Sequence, residues 1–309
     1  MEKQWVVVTG GTGLVGRSVC AQLKQSGYRV RILSRSANNA WKDVDEAVQW
    51  NPAKEELSPD ALRNAAAVIH LAGAPIAQRW TAKSRHEILT SRTLSTQTIT
   101  QTIALLPENE RPPVLISASA VGIYPSSAEL LGEAAPSGDG FASEVVQAWE
   151  HAAIKAEALG CRTVRLRIGL VLAASGGIIG SLKPLFSLGL GSPIGTGEHW
   201  QSWIHIEDLS QMILWAIQSE GIHGVYNAAS PNPVQNRTFS KALAVALKRP
   251  FFFPSVPSWA LKTVFGDMSE VLLASNRVAS SKVEHAGFGF KHPTLDEAMA
   301  SLFEHETKV

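Results

Sequence analysis

Val6–Ser18 reads VVVTGGTGLVGRS, and the fold is decided there. Three consecutive valines are apolar and β-branched, as in a strand buried on both faces. The strand pattern stops at Thr9, and helical spacing of apolar residues runs from Leu14 to Gly27, a glycine placed where helices end. Around this junction stand Gly10, Gly13 and Gly16. Glycine at the first two positions lets the backbone turn tightly and approach a pyrophosphate. Glycine at the third lets the helix pack close to the strand. The helix N-terminus then turns unpaired N–H groups and the positive end of its dipole toward the phosphates. A glycine pattern alone is a weak signal; one that follows a strand and opens a helix has the context of a dinucleotide-binding turn.

Working outward, the chain alternates short apolar β-rich runs with helical patterns. Strands are expected at 4–10, 28–34, 47–50, 65–73, 113–119 and 163–172, and helices at 14–27, at 81–106 and within GDGFASEVVQAWEHA (138–152). Alternation of this kind predicts an α/β fold, a doubly wound parallel sheet of Rossmann type. Beyond 172 the pattern changes. Residues 173–201 hold seven glycines and no long strand. A strand end enters a helix over 202–218, one more strand is expected at 224–230, and 254–266 and 294–303 read as helices. The expected division is a nucleotide-binding domain from 1–172 with 202–230, and a smaller, mixed, substrate-side part from 173–201 with 231–309.

Composition sets the class. With 45% hydrophobic and 18% charged residues, the 309-residue chain is globular rather than disordered. A formal net charge of +1 gives no bulk field to recruit nucleic acid or an anionic membrane. The two cysteines, Cys20 and Cys161, are far apart, with no CxxC or Cys/His cluster. No metal site or disulfide framework is expected, and a reducing compartment suits them. MEKQWVVVTGG is too briefly apolar for a signal peptide, and no run approaches the roughly 18 apolar residues of a membrane span. The expectation is a cytoplasmic protein with a small-molecule substrate, no nucleic-acid or membrane partner, and a homodimer as the assembly to test.

The end of the second strand selects the cofactor. An acid there would bind the ribose 2′-hydroxyl of NAD and repel a 2′-phosphate. The sequence instead reads ILSRS, with Ser34 and Arg35. Arg35 can pair with the phosphate of NADP.

The pattern TGGTGLVG, SR, VIHLAG and ISAS resembles the extended short-chain dehydrogenase/reductase family. HLAGAPIAQRW, SASAVGIY, the long block from Gly176 to Leu209, and PVQNRTFSKALAVALKRP resemble one atypical branch, a sugar-nucleotide-epimerase-like group with a C-terminal domain of unknown function. The resemblance implies an NADP-binding Rossmann fold and an epimerase or reductase. It places Thr9, Gly10, Gly13, Leu14, Val15 and Gly16 on the pyrophosphate loop. Ser34 and Arg35 fall at the 2′-phosphate, Leu71, Ala72 and Gly73 on a turn along the cofactor, and Ser119 at the catalytic serine. Ala74 departs from the pattern, since relatives often carry an acid there.

Ordinary members of that family carry a Tyr-x-x-x-Lys pair on the helix after the fifth strand, and the spacing sets both side chains on one helical face. The lysine favours the tyrosinate, which exchanges a proton with a substrate oxygen. Here the aligned residues are Phe141 and Val145, which cannot donate, accept or carry charge. Proton-relay candidates are therefore Ser119 and, foremost, Tyr124, on the loop that follows at the ligand-binding edge of the sheet. Glu150 reads as a solvated helix-face acid, His205 as a hydrogen-bonded strand-end histidine, His70 as structural, and Asp208 as a residue that caps or orients the helix it opens. The loop GLGSPIGTGEHW (189–200) offers backbone N–H groups, with Trp200 and Trp203 as apolar walls, or serves as a packed connector. Two functions compete: an NADP-dependent epimerase or oxidoreductase with a non-standard proton relay, and an NADP-binding protein with little or no turnover.

Overall fold

The computed structural model describes residues 4–36 and 41–303. Its centre is a seven-stranded sheet. In chain order the strands are β1 (Trp5–Thr9), β2 (Arg29–Ser34), β3 (Glu46–Gln49), β4 (Ala67–His70), β5 (Val114–Ala120), β6 (Arg162–Ile168) and, after three short strands, β10 (Gly224–Ala228). The short ones are β7 (Leu170–Leu172), β8 (Trp200–Gln201) and β9 (Trp203–His205), with β11 (Val234–Gln235) following. The sheet order is β10-β6-β5-β4-β1-β2-β3, and every pairing is parallel. Strand order reverses beside β1, which places a crevice at the C-terminal ends of β1 and β4.

Alternation along the strands builds two cores. Val6 and Val8 of β1 face one side of the sheet. There they meet Val19, Cys20 and Leu23 of α1 (Leu14–Gln25) and Leu209, Met212 and Ile213 of α5 (Ile206–Gln218). Val7 faces the other side, where Ile99 and Ile103 of α2 (Ala82–Ala104) cover it. A strand buried on both faces is what the valine run predicts. Helix α1 gives way at Ser26 to Gly27, whose φ of +87° is the left-handed conformation that ends helices on glycine. Helix α2 starts at a reciprocal Thr81–Ser84 capping box. Its buried hydroxyls return to its own carbonyls, as in Thr96 to Arg92 O at 2.7 Å and Thr102 to Thr98 O at 2.7 Å, so these hydroxyls are buried with partners.

The structure departs from the sequence reading at several elements. The run 163–172 is not one strand. At Gly169 the chain leaves the seven-stranded sheet, because a Cβ there would stand 2.6 Å from Ser202 O. Leu170 N–H then bonds Ser202 O at 2.8 Å, and β7 pairs with β9 instead. The glycine-rich 173–201 stretch also contains a helix, α4 (Gly177–Ser187), and α6 (Asn236–Ala246) was not read as a helix either. Ile179 and Phe186 of α4 enter a third core with Trp203, Phe239 and Leu243 of α6, and Leu295 and Met299 of α10 (Leu295–Phe303).

The C-terminal segment carries α7 (Ser258–Phe265), α8 (Ser269–Leu273) and α9 (Ser281–His285). It is tied to the loop after β5: Ser127 N–H donates to Ser275 O at 2.7 Å, and Leu131 N–H to Arg277 O at 2.8 Å. Among the described residues, no helix is long and apolar enough to cross a membrane.

Candidate active site

Gly10, Gly13 and Gly16 build a cradle, and at Gly10 and Gly16 only glycine fits. Gly10 has φ +68°, and a Cβ on it would lie 2.9 Å from the carbonyl carbon of Leu71. A Cβ on Gly16 would lie 2.2 Å from Gly10 O. Gly13 is the N-cap of α1, with no side-chain cap and no acid in the first turn. Leu14 and Val15 begin the helix itself. The helix end is thus stripped of anything that would compete with an anion for its N–H groups, as a pyrophosphate site requires. The pyrophosphate of a dinucleotide fits this end.

Thr9, fully buried at the end of β1, organises the neighbouring turn. Its Oγ1 accepts from Leu71 N–H at 3.1 Å and Ala72 N–H at 3.2 Å, so its proton goes to His70 Nδ1 at 2.7 Å. The opposite ring nitrogen of His70 lies 3.1 Å from Ser95 Oγ. Burial, helped by the charge of Arg92, pushes the His70 pKa down to about 3, so the ring stays neutral and serves as a strut. The Leu71–Ala72 backbone rests against Gly10, and Gly73 lies against the guanidinium of Arg92.

Ser34 ends β2, and its Oγ accepts from Ser36 N–H at 3.3 Å. Arg35 is exposed, its carbonyl held by Gln49 Nε2 at 3.3 Å. Among the described residues, no carboxylate pairs with Arg35. Arg31, within β2, is tied to Glu46 at 2.7 Å.

At the end of β5, Ser119 is buried, and its Oγ donates to Glu150 Oε1 at 2.5 Å. Glu150 is on α3 (Phe141–Ile154) and is itself buried, which overturns its reading as a solvated acid. The reason is Arg167 of β6, directly across from Ser119 in the sheet. Arg167 bonds Glu150 through Nε at 2.8 Å and Nη2 at 3.1 Å, a two-pronged charge-assisted pair. Its Nη1 donates to Tyr124 Oη at 2.8 Å, and Tyr124 donates onward to Asn227 Oδ1 at 2.8 Å. Burial raises the Tyr124 pKa even though Arg167 opposes it, so the phenol keeps its proton. Burial alone would lower the Arg167 pKa; its bonds to Glu150 and Tyr124 more than offset that and hold the guanidinium charged. Ser119, Glu150, Arg167, Tyr124 and Asn227 thus form one buried network. The sequence reading named Ser119 and Tyr124, misplaced Glu150, and missed Arg167. Three arginines in the short strand RTVRLRI, where burial is expected, were the available signal.

Phe141 and Val145 stand in an apolar cluster with Trp80, Ile88, Met268 and Leu272. The Phe141 and Trp80 rings meet edge to face at 5.0 Å, and Arg85 lies over both, at 4.9 and 5.5 Å. The positions of the tyrosine and lysine have become core. In the part expected to face the substrate, buried polar atoms of His199, Gln201, Asn276 and Arg277 have no partner. Trp200 lies under Arg277 at 4.3 Å, while Trp203 is fully buried.

His205 caps α5, its Nδ1 accepting from Glu207 N–H at 3.2 Å. Glu207 and His292 approach it, but an Nδ1 engaged this way leaves the neutral ring's proton on Nε2, where a metal would need a lone pair. Asp208 does not cap α5. It accepts Lys291 N–H at 2.7 Å and His292 N–H at 3.0 Å, pinning the C-terminal segment.

Comparison with known proteins agrees with this geometry. Residues 6–229 match the NAD dependent epimerase/dehydratase family, and residues 256–302 match a domain of unknown function, DUF1731. The chain is 37% identical over 300 residues to the epimerase family protein YfhF of Bacillus subtilis, covering 96% of this chain and 97% of that one. It is 35% identical over 305 residues to a chloroplastic SDR39U1 homologue of Arabidopsis thaliana, covering 97% and 86%. Among solved structures it resembles the human epimerase family protein SDR39U1 with NADPH, with a TM-score of 0.86, 30% identity, and coverage of 97% and 99%. It also resembles a nucleoside-diphosphate sugar epimerase from Corynebacterium glutamicum, with a TM-score of 0.78, 32% identity, and coverage of 98% of this chain and 59% of that one. A glycine cradle on an all-parallel Rossmann sheet, a serine at the end of β5, and these matches along nearly the whole length lead to one assignment: the chain belongs to the NAD-dependent epimerase/dehydratase family of extended short-chain dehydrogenases/reductases and carries a C-terminal DUF1731 segment.

Proposed function

We propose that the chain is an NADP-dependent epimerase or oxidoreductase acting on a hydroxyl or carbonyl compound, nucleotide sugars included, through a proton relay that replaces the Tyr–Lys pair. One observation carries this reading: the 2.5 Å bond from Ser119 to a buried carboxylate that is paired with Arg167. The loop from Thr9 to Gly16 and the turn Leu71–Gly73 would hold the dinucleotide, with Ser34 and Arg35 at the 2′-phosphate. The NADPH in the human relative's structure and the absence of an acid at the end of β2 favour NADP. The free, buried thiols Cys20 and Cys161 suit a cytoplasmic setting.

NADP, when bound, supplies the hydride acceptor or donor. The protein's task is the proton. A substrate hydroxyl that bonds Ser119 Oγ passes its proton to the serine, and the serine passes its own to Glu150. The return path restores both. Arg167 aims the carboxylate, and Tyr124 holds Arg167 from the other side.

The test is a screen for NADPH oxidation and NADP⁺ reduction over sugars, nucleotide sugars, quinones and aldehydes. With a substrate in hand, Ser119→Ala and Glu150→Gln should each lower kcat about a hundredfold or more. Tyr124→Phe should lower it roughly tenfold, by loosening Arg167. Unchanged turnover in all three would sink the relay. Tight NADPH binding with no turnover across the screen would favour the second reading, cofactor binding without catalysis, which the apolar surroundings of Phe141 support.

A further inference from the structure

Arg92 is a buried cation without a counter-charge. It lies on α2 at 7% exposure, and its one hydrogen bond runs from Nη1 to Ile88 O at 3.0 Å, one turn back on its own helix. Its Nε is enclosed with no hydrogen-bond partner. Around its guanidinium stand Gly73, His70 and Trp149. Among the described residues, no carboxylate pairs with it. Trp149 presents its ring 5.1 Å from the guanidinium carbon. An aromatic face recovers only part of what a guanidinium loses on leaving water. A charge left this way in a folded protein implies a partner that arrives later.

Position says where the partner comes from. Gly73 touches Arg92 so closely that a Cβ there would stand 3.0 Å from Cζ. Two residues earlier, the same turn rests on Gly10 of the glycine cradle. On the other side, Trp149 precedes Glu150, the partner of Ser119. Arg92 therefore lies between the cradle and the Ser119–Glu150 pair, along the span a ligand joining them must cover.

We propose that Arg92 is an anion-binding residue, whose guanidinium takes a carboxylate or phosphate oxygen of a ligand held at the Leu71–Gly73 turn. The inference rests on reading that turn as part of the ligand cleft, but not on turnover. The anionic oxygen belongs either to the cofactor or to the substrate, and the two sources separate by experiment.

The probes are NADPH, inorganic phosphate and pyruvate, read by calorimetric binding and by melting of the full chain. Arg92→Met keeps the stem and removes the charge. Without ligand, this variant should melt no lower than the wild type, since it loses an unpaired buried charge. If the cofactor supplies the oxygen, NADPH affinity should fall roughly tenfold or more. If the substrate supplies it, NADPH affinity should hold, and the rise in melting temperature that phosphate or pyruvate gives the NADPH-loaded wild type should vanish. Either result carries the proposal. A destabilised Arg92→Met variant with unchanged NADPH affinity and unchanged anion response would overturn it, as would a wild type that responds to none of the three probes. Should Arg92→Met fail to fold, Arg92→Lys decides. It keeps the charge and loses the fork, so a roughly tenfold loss of the same response supports the proposal, and an unchanged response overturns it. Loss of turnover in Ser119→Ala with these binding results intact would show that the two readings stand or fall separately.

Discussion

Val145→Lys returns the charged half of the missing pair to a place that has closed around a hydrocarbon. Val145 is 2% exposed, among Trp80, Ile88 and Met268. Arg85 already lies over Phe141 and Trp80 and adds repulsion. Val145→Met is the control, because it brings a stem of similar length without the charge. The buried ammonium escapes its cost by losing its proton. At pH 7 that escape costs about 1.4 kcal/mol for each of the roughly three pH units below the usual lysine pKa. The lysine variant should thus be about 3–5 kcal/mol less stable than the methionine variant at pH 7. The sign follows from proton counting. The folded pKa is lowered, the unfolded chain binds more protons, and stability rises with pH by about 1.4 kcal/mol per unit until the gap closes near pH 10. Urea denaturation of both variants at pH 7, 8 and 9 measures the gap. A lysine variant as stable as the methionine one at pH 7, or a gap independent of pH, would refute the reading of this cluster as core.

Gly16→Ala should cost roughly 3 kcal/mol and abolish NADPH binding, because the new methyl meets backbone at 2.2 Å and the loop must open; near-normal affinity by calorimetry would show that the cradle is not the phosphate site. Arg35→Ala should weaken NADPH roughly tenfold and leave NADH unchanged, and equal losses for both would remove Arg35 from the 2′-phosphate. Acid should destabilise the fold through two histidines. Burial and Arg92 hold His70 at about 3, and burial and His292 hold His205 at about 4. Both lie below the unfolded value, so each withdraws up to about 1.4 kcal/mol per pH unit as pH falls below roughly 6.5. His205→Gln should flatten the stability curve between pH 6.5 and 4 by about one proton, measured by urea denaturation; an unaltered slope contradicts the assignment.

Features written in adjacent residues were legible. The valine run, the glycine spacing and the helix that follows are local, and the structure places them as expected. Gly169 was opaque because its meaning lies in Ser202, more than thirty residues on, whose carbonyl leaves no room for a side chain. Helix α4 was hidden by Gly176, Gly177, Gly180 and Pro184, residues that usually mark loops, while Ile179 and Phe186 carried the helical signal beneath them. Glu150 was misread for a third reason. A helix-face acid followed by nothing unusual reads as solvated, and only the pairing of β5 with β6 brings Arg167 to it. Asp208 erred likewise, since its partners Lys291 and His292 arrive from the far end of the chain.

The cover over Phe141 and Val145 has a consequence for synthesis. Met268 and Leu272, which close that cluster, leave the ribosome long after Trp80, Ile88 and the first turn of α3 have emerged. β10, which completes the sheet on β6, also follows late. A nascent chain that already holds the cofactor cradle therefore carries an uncovered apolar face and an open sheet edge, both prone to association. Chains ending before Met268 should collect in the insoluble fraction even though every residue of the glycine loop and the Ser119–Glu150 pair is present. In this protein the late arrival of Met268 and Leu272 seals a surface that would otherwise stick to its neighbours.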